Sequence, residues 1–254
     1  MVQSVERAID ILIYVLAKNP GASLSDIGQD LGLSRSTVHR LLSCLQSKEV
    51  IEKDSAKRYR TGAVLFQLSN SSSHRGALVS LVLPFLQQLR DETGETINFH
   101  ILVGRHHVCI EQAESPHELR QTSVIGKPIP LGPGATAKAI LAYLPQSDQA
   151  AAIGSLDKHG LRQLDPEDFR KELSRIRVQG VAFSVEERVR AAAAASAPVF
   201  NKDGGVLGAL TLSGPAQRLP AQTLRAYGQR LREVAARISS ELGYRPSDGQ
   251  SPSS

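Results

Sequence analysis

Arg35, Ser36, His39, Arg40 and Ser43 recur at the spacing that places side chains on one face of a helix. That face would carry two guanidiniums, an imidazole and hydroxyls, with no carboxylate among them. Such groups donate to phosphate oxygens and read base edges, which is the chemistry of duplex recognition rather than of catalysis. An ordinary solvated face would take Glu and Lys equally well. The opposite face, Val38, Leu41, Leu42 and Leu45, is apolar and has to be held against a core.

The flanking residues supply that core. Leu24, Ile27 and Leu31 predict a short helix with Ser23 as its N-cap, Gly32 gives a tight turn, Leu33 returns inward, and Ser34 caps the helix that follows. Two helices joined in this way form a helix-turn-helix, whose second helix enters the DNA major groove. Upstream, Val5, Ala8, Ile9, Leu12, Val15 and Leu16 predict the apolar face of a third helix, ending near Asn19-Pro20-Gly21. Downstream, residues 50–53 and 57–61 flank Asp54-Ser-Ala as a basic hairpin, or wing. Lys57, Arg58 and Arg60 would lie along the phosphate backbone, with Arg58 within reach of a minor groove. The expected DNA-binding set is Ser23, Ser34, Arg35, Ser36, Thr37, His39, Arg40, Lys57, Arg58 and Arg60.

A second constellation lies further along. Gly132-Pro-Gly-Ala-Thr136 opens a predicted helix over 137–144, which Pro145 stops. Free amides at such a start and the Thr136 hydroxyl suit a carboxylate or phosphate, and Lys138 one turn in would add charge. Thr211 and Ser213 stand two apart on a predicted strand and share a face, where they too would hold a carboxylate. His106-His107 reads as a solvated turn rather than a metal site, because no carboxylate or cysteine stands at ligand spacing. His100 reads as structural or pocket-lining, Cys109 as core, and Glu111 and Glu114 as surface charges.

The chain has 254 residues, enough for two modest domains, and a net charge of +5, which is compatible with a polyanionic partner. Its two cysteines, Cys44 and Cys109, lie in apolar patterns without metal or disulfide spacing. No membrane-length apolar run and no signal-peptide pattern is present, so a soluble cytoplasmic protein is expected. No Trp and 4% aromatic residues argue against a stacking platform for single strands. The expected organisation is a DNA-binding domain over 1–62, a linker helix over 63–76 broken by the polar run 69–76, an effector-binding domain over 77–243, and a disordered tail over 244–254.

The later domain is expected to begin with a long helix over 77–93, kinked at Pro84, followed by strands over 97–103, 108–112 and 119–125. Helices are expected over 147–153 and 166–179, the latter with Asp165 as N-cap, Pro166 at its first position and Gly180 beyond its end. A strand over 181–184, a hairpin around 201–205 and a terminal helix over 220–242 complete the pattern. This is an α+β fold with antiparallel strands.

Taken together, Ser4-Val-Glu-Arg-Ala8, Ser34-Arg-Ser-Thr-Val-His-Arg-Leu-Leu42, Arg58-Tyr-Arg60, Glu92-Thr-Gly-Glu-Thr96, Ala137-Lys-Ala139, Ala197-Pro-Val199 and Leu212-Ser-Gly-Pro215 make the chain resemble the IclR (isocitrate lyase regulator-type) family of bacterial transcription factors, from about Val2 to Leu242. The resemblance implies a winged helix-turn-helix, a linker helix and a GAF-like α/β effector-binding domain. It further implies homodimers or tetramers on palindromic operators. It places Gly134, Ala135, Thr136, Ser184, Ala192, Ala194, Thr211 and Ser213 in an effector pocket. It also favours a strand for the run Ala191–Ala195, which by propensity would be helix.

The chain departs from the family pattern at Gly132-Pro-Gly, at Ser184 where an acid is common, and at Ala194 where a Cys is common. A roomier, less acidic pocket follows, suited to a carboxylate or aromatic acid. The resulting expectation is a repressor released by a small organic acid, without metal or cofactor. A ligand-dependent activator, an enzyme domain tethered to a DNA-binding head, and a DNA-bridging protein are the alternatives. Hydroxyls and alanines can bind but hardly catalyse, which disfavours the enzyme.

Overall fold

A computed structural model describes residues 2–18, 21–54, 56–65, 73–154 and 165–245. The chain divides into two compact units, residues 1–77 and 78–254.

In the first unit, α1 (Gln3–Ala17), α2 (Leu24–Asp30) and α3 (Arg35–Ser47) precede the two-stranded wing, β1 (Ile51–Lys53) and β2 (Tyr59–Thr61). Ile11, Val15, Ile27, Val38, Leu42, Ile51 and Tyr59 make the shared core. Ser23 caps α2 in a reciprocal box with Asp26, and Ser34 caps α3 by accepting from the Thr37 amide at 3.3 Å. Gly32 sits at φ +63°, the left-handed conformation that the turn between the two helices demands. The wing is tied to the helices through Ala22, which exchanges both backbone hydrogen bonds with Tyr59.

α1 corrects one expectation. It is seated by Ile11 and Val15, with Ala8 and Leu12 partly buried, while Val5, Ile9 and Leu16 remain 54%, 51% and 50% exposed. The inward face is centred on Ile11 and Val15 and so is rotated from the predicted stripe, in which Ile11 had no place. Cys44 is likewise exposed rather than packed.

The second unit is a six-stranded antiparallel sheet in the order β5-β4-β3-β8-β7-β6, where β3 is Thr96–Val103, β4 His106–Ala113, β5 Pro128–Pro130, β6 Ala182–Val185, β7 Ala192–Phe200 and β8 Val206–Pro215. One face packs on α4 (Ser73–Thr93) and α8 (Ala221–Glu241) through Ile97, Phe99, Ala193, Ala195, Ala197, Leu210 and Leu212. The other face meets α5 (Ala135–Leu141), α6 (Gln146–Ile153) and α7 (Pro166–Gln179). Small residues on β7 let helix and strand approach closely, which is how an alanine run becomes a central strand despite its helical propensity. Arg218 clamps the almost fully buried Glu95 with two hydrogen bonds, of 2.5 and 2.7 Å.

The expected strand over 119–125 does not form. Those residues run without strand pairing, and the edge strand is β5 instead. α4 begins at Ser73, ahead of the expected start at Ala77, and continues through Pro84. Of the linker helix, residues 63–65 are helical and 66–72 lie outside the described residues; the tail from 246 onward also lies outside them.

Candidate functional site

α3 presents Arg35, Ser36, His39, Arg40 and Ser43 to solvent, opposite the buried Val38, Leu41 and Leu42. Ser34, Ser36 and Thr37 form a hydroxyl cluster at its start, with Ser34 Oγ 3.1 Å from Ser36 Oγ and 2.9 Å from Thr37 Oγ1. In the wing, Lys57 takes φ +62° and, like Arg58, stands exposed. Arg60 is exposed too, but it pairs with Asp54 at 3.0 Å, and Asp54 also accepts from the Arg58 amide at 2.8 Å. That amide and the neighbouring arginine hold the Asp54 carboxyl below the usual carboxylate range. Among the described residues Lys57 and Arg58 form no ion pair, although, after the Ser23 hydrogen bonds, the Arg58 charge helps to lower the Asp26 carboxyl.

The second unit contains a cavity of about 270 Å³ on the sheet face away from α4 and α8. All eight residues that the family resemblance placed in one pocket line it: Gly134, Ala135 and Thr136 at the start of α5, Ser184 on β6, Ala192 and Ala194 on β7, and Thr211 and Ser213 on β8. Their convergence follows from register. Ser184 pairs with Ala194, and Ala194 with Ser213, so one row of inward side chains crosses three strands. Thr136 Oγ1 lies 3.0 Å from Thr211 Oγ1, joining the loop to the strand.

The cavity also takes in His100, read from the sequence as structural or pocket-lining, together with Asn98, which that reading passed over, and His107, which it assigned elsewhere. Asn98 and His100 face it from β3, 1% and 3% exposed. Their alternation with Ile97 and Phe99 was legible, but a polar strand face ordinarily means solvent. His107, expected in a solvated turn, is buried, and its Nδ1 lies 3.1 Å from His100 Nδ1. At that distance one ring nitrogen donates and the other accepts, so the two rings cannot both be charged. Burial pushes His100 down to about 4, with the Arg188 charge assisting; burial, His100 and then Arg188 push His107 to about 3. Arg188 reaches the mouth from the loop after β6, and partial desolvation lowers its pKa although much of the side chain meets solvent. It has no carboxylate partner among the described residues.

Two other expectations are corrected. The Gly134 amide, at φ +98° where glycine is favoured, donates to Glu187 Oε2 at 2.9 Å, so the protein's own carboxylate occupies that donor. Lys138 does not point into the cavity. It is fully buried between Glu172 and Glu187, each 2.5 Å from its Nζ. An amphipathic reading of so short a helix gives no warning of this, because the partners come from distant segments. No cluster of three or more metal-ligating side chains occurs among the described residues.

Comparison with known proteins agrees with both units. Residues 4–55 match the IclR helix-turn-helix domain, and residues 71–240 match the bacterial transcriptional regulator IclR C-terminal domain. The chain belongs to the IclR family of transcriptional regulators. It is 31% identical to the HTH-type transcriptional repressor AllR of Salmonella typhi, across 96% of this chain and 91% of the relative. It is 25% identical to the transcriptional repressor IclR of Escherichia coli, across 95% and 90%. Among solved structures, an IclR regulator from Silicibacter sp. matches with a TM-score of 0.77 at 25% identity, covering 96% of this chain and 98% of that one. An IclR homologue from Microbacterium hydrocarbonoxydans, complexed with 4-hydroxybenzoate, matches with a TM-score of 0.78 at 19% identity, covering 94% and 98%. This IclR-family member is thus a DNA-binding regulator and not an enzyme. No helix among its described residues is long and apolar enough to cross a membrane.

Proposed function

We propose that this IclR-family chain is a repressor that holds a palindromic operator through α3 and the wing and is released by a small organic acid bound in the cavity of its second unit. The observation that carries the effector reading is the cavity itself. It is lined by hydroxyls, the amides of Asn98 and Gln121, the His100–His107 pair, the Glu187 carboxylate already engaged by Gly134 and Lys138, and the cations Lys127 and Arg188, the latter without a carboxylate partner among the described residues. Such a wall binds and orients an anion but has no converging nucleophile and base. The relatives named as repressors, and the homologue named as a 4-hydroxybenzoate complex, support the same reading.

A palindromic operator calls for a two-fold protein. The exposed Val5, Ile9 and Leu16 of α1 offer a second copy an apolar stripe to cover. Sedimentation should detect dimers or tetramers, and Ile9→Glu should shift them toward monomer.

The deciding experiment is footprinting on the DNA upstream of the protein's own gene, with and without a panel of small acids, paired with a reporter on the same promoter. Protection lost on adding an acid, and reporter output raised by deleting the protein, are expected. Output lowered by deletion would make it an activator instead.

A further inference from the structure

The hydroxyls on the cavity floor are oriented by a carbonyl. Ser196 Oγ donates to the Leu210 oxygen at 3.2 Å, because a carbonyl can only accept. Ser196 has a single proton, so its 2.8 Å contact with Thr211 Oγ1 is donated by Thr211. Thr211 then has none left for Thr136, and their 3.0 Å contact is donated by Thr136. The protons run from Thr136 to Thr211 to Ser196 to the backbone, all of them used inside the protein. Toward the cavity, Thr136 offers lone pairs only.

Asn98 adds a second acceptor. Its Nδ2 donates to Ser213 Oγ at 3.2 Å, while its Oδ1, buried on the cavity wall, has no partner among the described residues. A buried carbonyl oxygen without a donor is costly, and a ligand that brings one relieves it. Ser213, having accepted from Asn98, keeps its own proton to give. The neutral histidine pair adds no net charge. Ser213, Ser184, Lys127 and the Arg188 guanidinium on the lining can donate to an anion; Asn98 Oδ1 and Thr136 Oγ1 can only accept, and the Glu187 carboxylate is engaged by the Gly134 amide and Lys138.

We infer that the effector is an organic acid that also carries an O–H or N–H donor, that is, a hydroxy-, amido- or ureido-acid. Its donor meets Asn98 Oδ1 and Thr136 Oγ1, and its carboxylate meets Arg188 and the Ser213 hydroxyl. This rests on the reading that the cavity takes an acidic effector, and it narrows which acids qualify. A plain carboxylate of the same shape leaves Asn98 Oδ1 dry and unpaired, the situation in which binding sites discriminate most strongly.

The test is calorimetry on the full-length protein with matched pairs of acids: lactate against propionate, mandelate against phenylacetate, and N-carbamoylglycine against levulinate. In each pair that binds, the donor-bearing acid is expected to bind roughly tenfold or more tightly. Asn98→Leu, which keeps the volume and removes the acceptor, is expected to abolish the difference. Equal or tighter binding of the plain acids overturns the inference while leaving an acidic effector intact. A full difference retained in Asn98→Leu also overturns it. If neither member of any pair binds the folded protein, the acidic-effector reading falls and this inference falls with it. Should Asn98→Leu fail to fold, the wild-type pairs decide alone.

Discussion

Glu187 accepts from the Gly134 amide at 2.9 Å with one carboxylate oxygen and binds the buried Lys138 ammonium at 2.5 Å with the other. One side chain thus fixes the loop that opens α5 and neutralises a cation with no access to water. Glu172 supplies the second half of that neutralisation.

Removing Glu187 leaves Lys138 with a single, more exposed carboxylate. Breaking one side of a buried pair costs more than replacing the charge altogether. Glu187→Ala is expected to lower stability by about 2 kcal/mol, the partial exposure of the carboxylate holding it below the range for fully buried pairs. Lys138→Met is expected to cost less. Urea unfolding curves of the three proteins would decide, and a larger loss in Lys138→Met would overturn the reading.

On the DNA side, Arg40→Ala is expected to weaken operator binding about tenfold or more without lowering the melting temperature, since Arg40 is solvent-facing. In the wing, Lys57→Ala and Arg58→Ala are each expected to reduce the salt slope of binding by about 1. Arg60→Ala is expected to reduce it by less, because Asp54 already neutralises that guanidinium. Gel shifts over a range of salt concentrations, on duplex recovered by selection from random sequence, measure all four.

Thr211→Val breaks the hydroxyl relay in its middle. Thr136 loses the acceptor for its proton and can turn that proton toward the cavity. The variant is expected to shift preference toward plain carboxylates and to blunt release by the wild-type effector. Calorimetry with lactate and propionate on both proteins reads the shift, and an unchanged ratio would remove Thr211 from the specificity argument.

The histidine pair makes stability depend on pH. Unfolded imidazoles protonate as pH falls through about 6.5, whereas His100 and His107 resist until about 4 and about 3. Between those limits the unfolded chain binds more protons. The stabilisation is therefore complete above pH 6.5 and is lost as pH falls toward 4. One such histidine removes roughly 2 kcal/mol between pH 6.5 and 5. Thermal midpoints of the wild type should drop over that window, and the double variant His100→Leu, His107→Leu should flatten the drop. An equally steep drop in the double variant would place the dependence elsewhere.

Much of this protein is written in short-range pattern. Ser23, Gly32, Ser34 and the apolar spacing around them specify the helix-turn-helix, because caps, turns and one-sided burial act within a few residues. Asp165, Pro166 and Gly180 delimit α7 in the same way, and the polar face of α3 needs no partner to be seen. What only the tertiary structure decided lies where distant segments meet. Ile11, not Val5 and Ile9, seats α1; Glu187 takes the Gly134 amide; Lys138 turns inward to two carboxylates; and Asn98 and His107 line a cavity instead of solvent. Sequence periodicity says which side chains share a face, but the burial of a polar face and the direction of its protons depend on what the fold lays against it.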